Sequence, residues 1–510
     1  MKNTKFLILA LSVIVCSPAL PQKPISNGLV QTSEGLISGT LSADKAVKIF
    51  MGVPFAAPPV GNLRWKAPQP VKPWKGIKAC VNPPASAMQA TPAPFYCWTE
   101  EFLAPKKPIS EDCLYLNVWT MAKTAKDKKP VIVWIHGGGF NAGSGTVPLY
   151  NGEEMAKKGV VFVTINYRLG IFGFLAHPAL SAETPDNISG NYGILDQIAA
   201  LKWVKKNIEA FGGDSSNVTI AGQSAGSYSV NVLMISPYAK GLFERAIAQS
   251  GGSFKKTPNP EQSLKSSEAA GLQLTQKLGI QNIDQLRAIP ADSILKIQGH
   301  WSITVDHVII PESYATFAAG KQNDVPLLTG WNGDDGTSFG PAPSAGKFRE
   351  MAQKRYGEKA AEYLRLFPAN NDEEAKASQK LNIQLSYGWS NYQWALLQSK
   401  TGKSKAYLYR FTHVPPGEPN YGAFHSSEFG YALKTLRLWN RPFKSWDYKL
   451  SDMMSSYWVN FAKTGNPNGK GLPVWPQMDA KNERIINFGD EVTILSLPNK
   501  EQMSFMDEVN

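Results

Sequence analysis

The stretch Asn217-Val-Thr-Ile-Ala-Gly222-Gln-Ser224-Ala-Gly226-Ser-Tyr-Ser-Val230 decides the reading of this chain. A β-branched run, Val218-Thr219-Ile220, leads into Gly222-Gln223-Ser224-Ala225-Gly226, and a segment free of proline and glycine follows. That is a strand, a sharp turn and a helix. At such a turn the serine takes a strained backbone geometry that lifts its hydroxyl clear of the sheet. A Cβ on either flanking glycine would collide with the neighbouring strand or helix. The pentapeptide alone also fits a surface turn. The strand before it, the helix after it and a second glycine motif upstream favour a reactive serine.

The second motif, His136-Gly137-Gly138-Gly139-Phe140, closes the run Pro130-Val-Ile-Val-Trp-Ile135, whose near-continuous apolar character marks a strand buried on both faces. Residues 160–165, 245–250, 325–330 and 406–411 read as further strands, and residues 191–211 as an amphipathic helix stopped by Gly212-Gly213. Upstream, residues 28–40 alternate and turn at Gly35 and Gly39, which suggests a small N-terminal hairpin or edge strands. Residues 47–65 read as a strand and then a Pro/Gly-rich loop; residues 80–112 are loop-rich, and residues 110–119 alternate into a strand. Strands alternating with helices imply a mostly parallel central sheet flanked by helices. No linker, charge block or internal repeat interrupts the chain, so residues 20–510 read as a single α/β domain.

A chain of 510 residues with 43% hydrophobic and 11% aromatic content can bury a large core, which excludes disordered and collagen-like classes. At the N-terminus, Lys2 and Lys5 precede an apolar run from residue 6 to residue 15, then Ser17-Pro18-Ala19. The run is too short to span a bilayer, so residues 1–19 read as a cleaved signal peptide of a secreted or periplasmic protein with no membrane span. Cys16 invites a lipoprotein reading, which Val15 before it disfavours. The formal charge of +12 is scattered in pairs such as Lys157-Lys158 and Lys205-Lys206, with no basic-aromatic stripe, so no nucleic-acid partner is expected. The excess is compatible with anionic surfaces or substrates. Past the signal, Cys80, Cys97 and Cys113 remain, without the clustered Cys/His ligands that zinc requires. One disulfide is expected, Cys80 with Cys113, or alternatively Cys97 with Cys113.

Acyl transfer from an ester needs an activated hydroxyl, a base, a carboxylate to orient the base and donors for the oxyanion. Ser224 supplies the hydroxyl. Bare amides of Gly138 and Gly139, with that of Ala225 at the helix start, suit an oxyanion hole. For the base there are 6 histidines. His136 is spent in the glycine loop, His177 precedes a proline, and His300, His307 and His413 sit in or beside apolar stretches. His425, in Gly422-Ala-Phe-His-Ser-Ser-Glu428, follows the last predicted large strand, where the order nucleophile, acid, histidine puts the base. For the acid, Asp334 and Asp335 compete in Gly330-Trp-Asn-Gly-Asp-Asp-Gly336, at the end of a buried strand between the other two.

These segments, in this order, resemble the type-B carboxylesterase family, the α/β-hydrolases that include cholinesterases, bacterial para-nitrobenzyl-type esterases and fungal lipases. The likeness extends to Gly52-Val-Pro-Phe-Ala-Ala-Pro-Pro-Val-Gly-Asn-Leu-Arg64-Trp, Ser110-Glu-Asp-Cys-Leu-Tyr-Leu-Asn117, Asn166-Tyr-Arg168, Gly190-Asn-Tyr-Gly-Ile-Leu-Asp196-Gln197, Gln249-Ser250-Gly251 and Tyr457-Trp-Val-Asn-Phe-Ala-Lys-Thr-Gly465. The resemblance implies the α/β-hydrolase fold with a small N-terminal β element. It implies that Asp335, where the family usually has Glu, is the acid and Asp334 its structural neighbour. It also implies that Ser250 and Glu428 support the histidine from behind and that Arg64 pairs with Glu111. Two departures stand out: Gln223 replaces a common Glu before the serine, and the first loop cysteine is displaced to Cys80.

The expected activity is a serine carboxylic-ester hydrolase acting on a small-molecule ester without a cofactor. A lipase or an aryl or feruloyl-type esterase is the alternative within the family, although no long amphipathic lid is evident. A catalytically inactive cholinesterase-like binding module is the rival from another class; it expects a lost nucleophile or a broken glycine loop, and neither occurs here. Phe95, Tyr96 and Trp98 are candidate pocket walls. The natural ester and the oligomeric state are not written in the sequence.

Overall fold

A computed structural model describes residues 28–338 and 342–510; the expected signal segment, residues 1–19, and Cys16 within it lie outside the described residues. The strands are, in chain order, Leu29–Gln31 (β1), Leu36–Ser38 (β2), Thr40–Leu41 (β3), Lys48–Pro54 (β4), Ile77–Ala79 (β5), Tyr115–Thr120 (β6) and Lys129–Ile135 (β7). They continue as Val161–Ile165 (β8), Gly213–Gln223 (β9), Arg245–Gln249 (β10), Leu327–Asn332 (β11), Ala406–Phe411 (β12), Arg484–Phe488 (β13) and Val492–Ser496 (β14).

Among the described residues, eleven of these form one sheet in the order β14-β13-β12-β11-β10-β9-β7-β8-β6-β4-β3. Neighbours run parallel from β13 through to β8. The outer pairs, β13 with β14 and β8-β6-β4-β3, run antiparallel. The reason is visible in the side chains. All five residues of β8 and all six of β11 are buried, because helices cover both faces of a parallel sheet and leave no wet face for polar alternation. The edge strand β14 is partly to fully exposed along its length. The expected N-terminal β element is present as the small sheet β1-β2-β5.

The helix expected over residues 191–211 runs from Tyr192 to Asn207 and finishes as a 3-10 turn at Ile208–Phe211, with Gly212 left-handed at φ 77° as its stop. It is more than amphipathic. Ile194, Gln197 and Trp203 are buried in addition to Ile198, Leu201 and Val204. Its Asp196 takes the Arg168 guanidinium at 2.7 and 2.8 Å inside the protein. Two further long helices are Asp372–Thr401, whose first turn is capped by Asn371 accepting from Glu374 N at 2.9 Å, and Ser445–Thr464. Strands β13 and β14 also follow His425, so the strand before that histidine is not the last of the sheet. Among the described residues no helix is long and apolar enough to cross a membrane.

The expected Cys80–Cys113 disulfide is not formed: both residues are buried thiols. Each sulfur has its own surroundings. The Cys80 thiol donates to the Gly52 carbonyl at 3.8 Å, whereas Cys113 is enclosed beside the Arg168–Asp196 pair. Burial pushes the Cys80 thiol up to about 11 and that of Cys113 higher still, so neither is a ready thiolate. Cys97 is buried too.

Candidate active site

Ser224 stands between the end of β9 and the helix Ala225–Ile235, at φ 56° and ψ −123°, a conformation rarely adopted by a residue with a side chain. Its surroundings demand that shape. A Cβ on Gly222 would lie 2.5 Å from the Gly226 backbone, and one on Gly226 only 2.0 Å from the Ile135 carbonyl oxygen, so strand, turn and helix fit together through the two glycines. The backbone of Ser224 is fully used, its N–H donating to Gln249 O at 2.9 Å and its carbonyl accepting from Tyr228 N at 2.9 Å. The side chain is left partly exposed between buried neighbours Gln223 and Ala225.

The glycine loop leaves β7 beside this turn. Gly138 and Gly139 are exposed and left-handed, at φ 103° and 62°. The Gly138 carbonyl accepts from Asn141 N at 3.1 Å and Ala142 N at 3.0 Å, and the Asn141 amide donates to Gly139 O at 2.8 Å. These bonds use carbonyls. Among the described residues, no hydrogen bond consumes the amides of Gly138, Gly139 or Ala225. His136 stiffens the base of the loop: its ring stacks on Tyr167 at 4.4 Å and its Nδ1 donates to Gly137 O at 2.8 Å. Burial holds this imidazole down at about 4, so it stays neutral.

The choice between adjacent aspartates is decided by direction. Asp335 Oδ1 meets His425 Nδ1 at 2.7 Å, while its Oδ2 accepts from Asn332 N at 2.7 Å and Ser250 Oγ at 3.0 Å. Asp334 turns away, accepts from Ala423 N at 2.8 Å and pairs with Lys380. The Asp334 N–H also donates to Ala423 O at 3.0 Å, so this residue anchors the loop that carries His425. The shorter aspartate therefore reaches the histidine without help from an extra methylene.

The two residues expected to stand behind the histidine act instead around the acid. Ser250 touches Asp335, and Glu428 accepts from Asn332 Nδ2 at 2.6 Å and Gln249 Nε2 at 3.0 Å. Gln249 is itself held by Trp458 Nε1 at 2.9 Å. Complete burial, reinforced by the Asp335 charge, lifts the Glu428 carboxyl to about 7.

At the other imidazole nitrogen, Gln223 Nε2 lies 3.2 Å from His425 Nε2. In the sequence Gln223 marks only a lost negative charge; folded, its amide reaches the histidine from the residue next to Ser224. Two rings complete the surroundings. Tyr387, from the helix Asp372–Thr401, lies 5.0 Å from the imidazole at 33°, and Trp98 presents an edge at 6.4 Å. Tyr387 had no sequence signal, because nothing local to that helix marks the site. Of the aromatic triplet, Trp98 is at the site, with its indole N–H on Ser426 Oγ at 3.3 Å; Phe95 packs on Trp98 and Tyr96 on Tyr421. Elsewhere, Arg64 grips Glu111 with two bonds of 2.6 and 2.5 Å, the pairing the resemblance implied. His177 and His413 are occupied structurally, His177 capping a helix and His413 between Asp447 and Asp490.

The Carboxylesterase family matches residues 26–506 of this chain. A fumonisin B1 esterase of Sphingopyxis macrogoltabida is 36% identical over 90% of this chain and 86% of its own length. A para-nitrobenzyl esterase of Bacillus subtilis is 33% identical over 94% of this chain and 98% of its own. A solved structure of a PNB esterase superposes with a TM-score of 0.81 at 32% identity, covering 94% of this chain and 99% of that one. With the α/β-hydrolase sheet in place and a family match of this extent, the chain belongs to the carboxylesterase family and is a carboxylic-ester hydrolase.

Proposed function

We propose that the chain hydrolyses small-molecule carboxylic esters through an acyl-enzyme on Ser224. His425 Nε2 takes the Ser224 proton as the hydroxyl oxygen attacks the ester carbonyl, and Asp335 holds the imidazolium that results. The tetrahedral oxyanion rests on the amides of Gly138, Gly139 and Ala225, each worth on the order of 10²- to 10³-fold in rate. His425 then protonates the leaving alcohol, and water attacks the acyl-enzyme by the same route. No cofactor takes part in these steps.

The observation that carries the reading is the 2.7 Å contact of Asp335 with His425, whose Nε2 side faces Gln223, the residue next to the strained, partly exposed Ser224. The family match from 26 to 506 supports one hydrolase domain over residues 20–510. We read Lys2, Lys5 and the apolar run of residues 6–15 as part of a cleaved leader over residues 1–19, which supports export, to the periplasm or beyond the cell; N-terminal sequencing of protein from a cell-free fraction tests it. A chromogenic aryl ester such as 4-nitrophenyl acetate should give a pre-steady-state burst equal to the enzyme concentration. In Ser224→Ala both burst and turnover should vanish. A folded wild-type protein with no ester turnover would instead favour the inactive binding module. Para-nitrobenzyl esters and fumonisin B1, named for the two relatives, are natural first substrates.

A further inference from the structure

Gln223 ends β9 one residue before Ser224 and is only 2% exposed. Its side chain uses space that Gly137 leaves open: a Cβ on Gly137 would stand 3.2 Å from Gln223 Oε1 and 2.7 Å from the Gln223 carbonyl oxygen. The amide is thus confined beside the imidazole. Its nitrogen lies 3.2 Å from His425 Nε2, the atom that must take the Ser224 proton.

The chemistry of that contact follows from the other side of the ring. At Nδ1 stands the Asp335 carboxylate, which only accepts, so a neutral ring carries its proton on Nδ1 and offers a lone pair at Nε2. The NH2 of an amide only donates, and it fits that lone pair. Once Nε2 is protonated, two N–H groups face each other across the same gap. Gln223 therefore stabilises the neutral ring and opposes the imidazolium, whereas a carboxylate in its place would do the reverse.

Among the described residues, the titratable groups around the ring are Asp335 on the turn after β11, Glu428 three positions beyond His425, and Tyr387, 5.0 Å away on the helix Asp372–Thr401. Burial holds the Tyr387 phenol well above its ordinary 10, so it stays neutral. Lys380, on the same helix, is paired with Asp334. Asp335 and, once ionised, Glu428 favour a charged ring. Gln223 counters them.

We infer that Gln223 is a positioning residue that reserves the neutral, Nδ1-protonated form of His425 in the free enzyme, extending ester hydrolysis to more acidic pH and slowing it where the base is already neutral. The inference rests on the Ser224 reaction proposed above, because the imidazolium that the amide opposes is the one formed as the hydroxyl loses its proton.

The test follows kcat/KM for 4-nitrophenyl butyrate against pH, at the isosbestic wavelength of 4-nitrophenol, in wild type, Gln223→Met and Gln223→Glu. Methionine keeps the length and removes the donor; glutamate adds a charge. The acid limb should move to higher pH by about half a unit in Gln223→Met, the size of one lost hydrogen bond, and by about one unit or more in Gln223→Glu. On the alkaline plateau each variant should be about two- to fivefold faster than wild type, because its base is stronger, so each profile crosses the wild-type curve. Either variant alone decides the sign of the displacement. Glu428 titrates near 7, so the series is repeated in Glu428→Gln, where the displacement should persist. A limb that stays in place or moves to lower pH, or profiles that never cross, overturns the inference while hydrolysis at Ser224 stands. Wild type that leaves the butyrate intact, or turnover that survives Ser224→Ala, overturns the Ser224 reaction first and the inference with it.

Discussion

Asp335 and His425 are 90 positions apart in the chain, yet carboxylate and imidazole meet at 2.7 Å, while the aspartate next door faces the other way and ties down the histidine's own loop. One dipeptide at the end of β11 thus does two jobs. Asp335 orients the ring, and Asp334 fixes the backbone from which the ring projects.

The two aspartates should separate cleanly by mutation. Asp335→Asn replaces the acceptor of the Nδ1 proton with an amide and favours the wrong tautomer, so kcat should fall by roughly 10⁴-fold. Asp334→Asn removes a partly exposed pair with Lys380 and keeps an acceptor for Ala423 N, so kcat should fall less than about tenfold. Steady-state kinetics on an aryl ester decides it. Equal losses at both positions would contradict the division of labour.

The parts of this arrangement that were legible in the sequence are those written in local chemistry. Continuous apolar runs gave β7 and β8, and glycine spacing gave the serine turn and the oxyanion loop. His425 could be picked by chain order. What stayed hidden depends on direction or distance. Asp334 and Asp335 are chemically identical, and only the turn after β11 aims them apart. Gln223 and Tyr387 matter through where their side chains end, which no spacing records. Strands β13 and β14 are short, polar in part and lie at an edge of the sheet, so their pattern is weak. Counting cysteines suggested a disulfide, but Cys80 and Cys113 are buried thiols.

The buried carboxyl of Glu428 should leave a mark on the pH dependence of stability. Its folded value is about 7 against an ordinary 4.5, chiefly from burial. Between those values the folded protein keeps a proton that the unfolded chain has released. The group's contribution is therefore intact below about 4.5 and is lost progressively as pH rises towards about 7, a change on the order of 3 kcal/mol. His136 acts in the opposite sense: its folded value near 4 lies below the ordinary 6.5, so stability is lost as pH falls between them. Urea denaturation of wild type and Glu428→Gln from pH 4.5 to 7.5 tests the first limb. The variant should gain stability relative to wild type as pH rises, whatever constant offset the lost carboxylate brings. A flat or falling difference would show that Glu428 ionises normally.

The glycine loop makes a prediction about order as well as size. Both Gly138 and Gly139 are left-handed, so an alanine at either position carries a backbone penalty of about 1 kcal/mol. Only one of them is also blocked. A Cβ on Gly138 would sit 2.1 Å from the Ala142 carbonyl oxygen, which is itself part of the turn, whereas a Cβ on Gly139 meets nothing within 4 Å. Gly138→Ala must therefore displace the loop and misaim both amides, which should lower kcat by 10²-fold or more at nearly unchanged KM, since the donors act on the oxyanion rather than on the bound ester. Gly139→Ala should keep the loop in place and lose about tenfold or less, from strain alone. Far-ultraviolet circular dichroism confirms folding of each variant, and kcat ranks them. A Gly139→Ala enzyme worse than Gly138→Ala would mean that open space beside residue 139 is needed by the substrate, and that the loop is shaped for the ester's body as much as for its oxyanion.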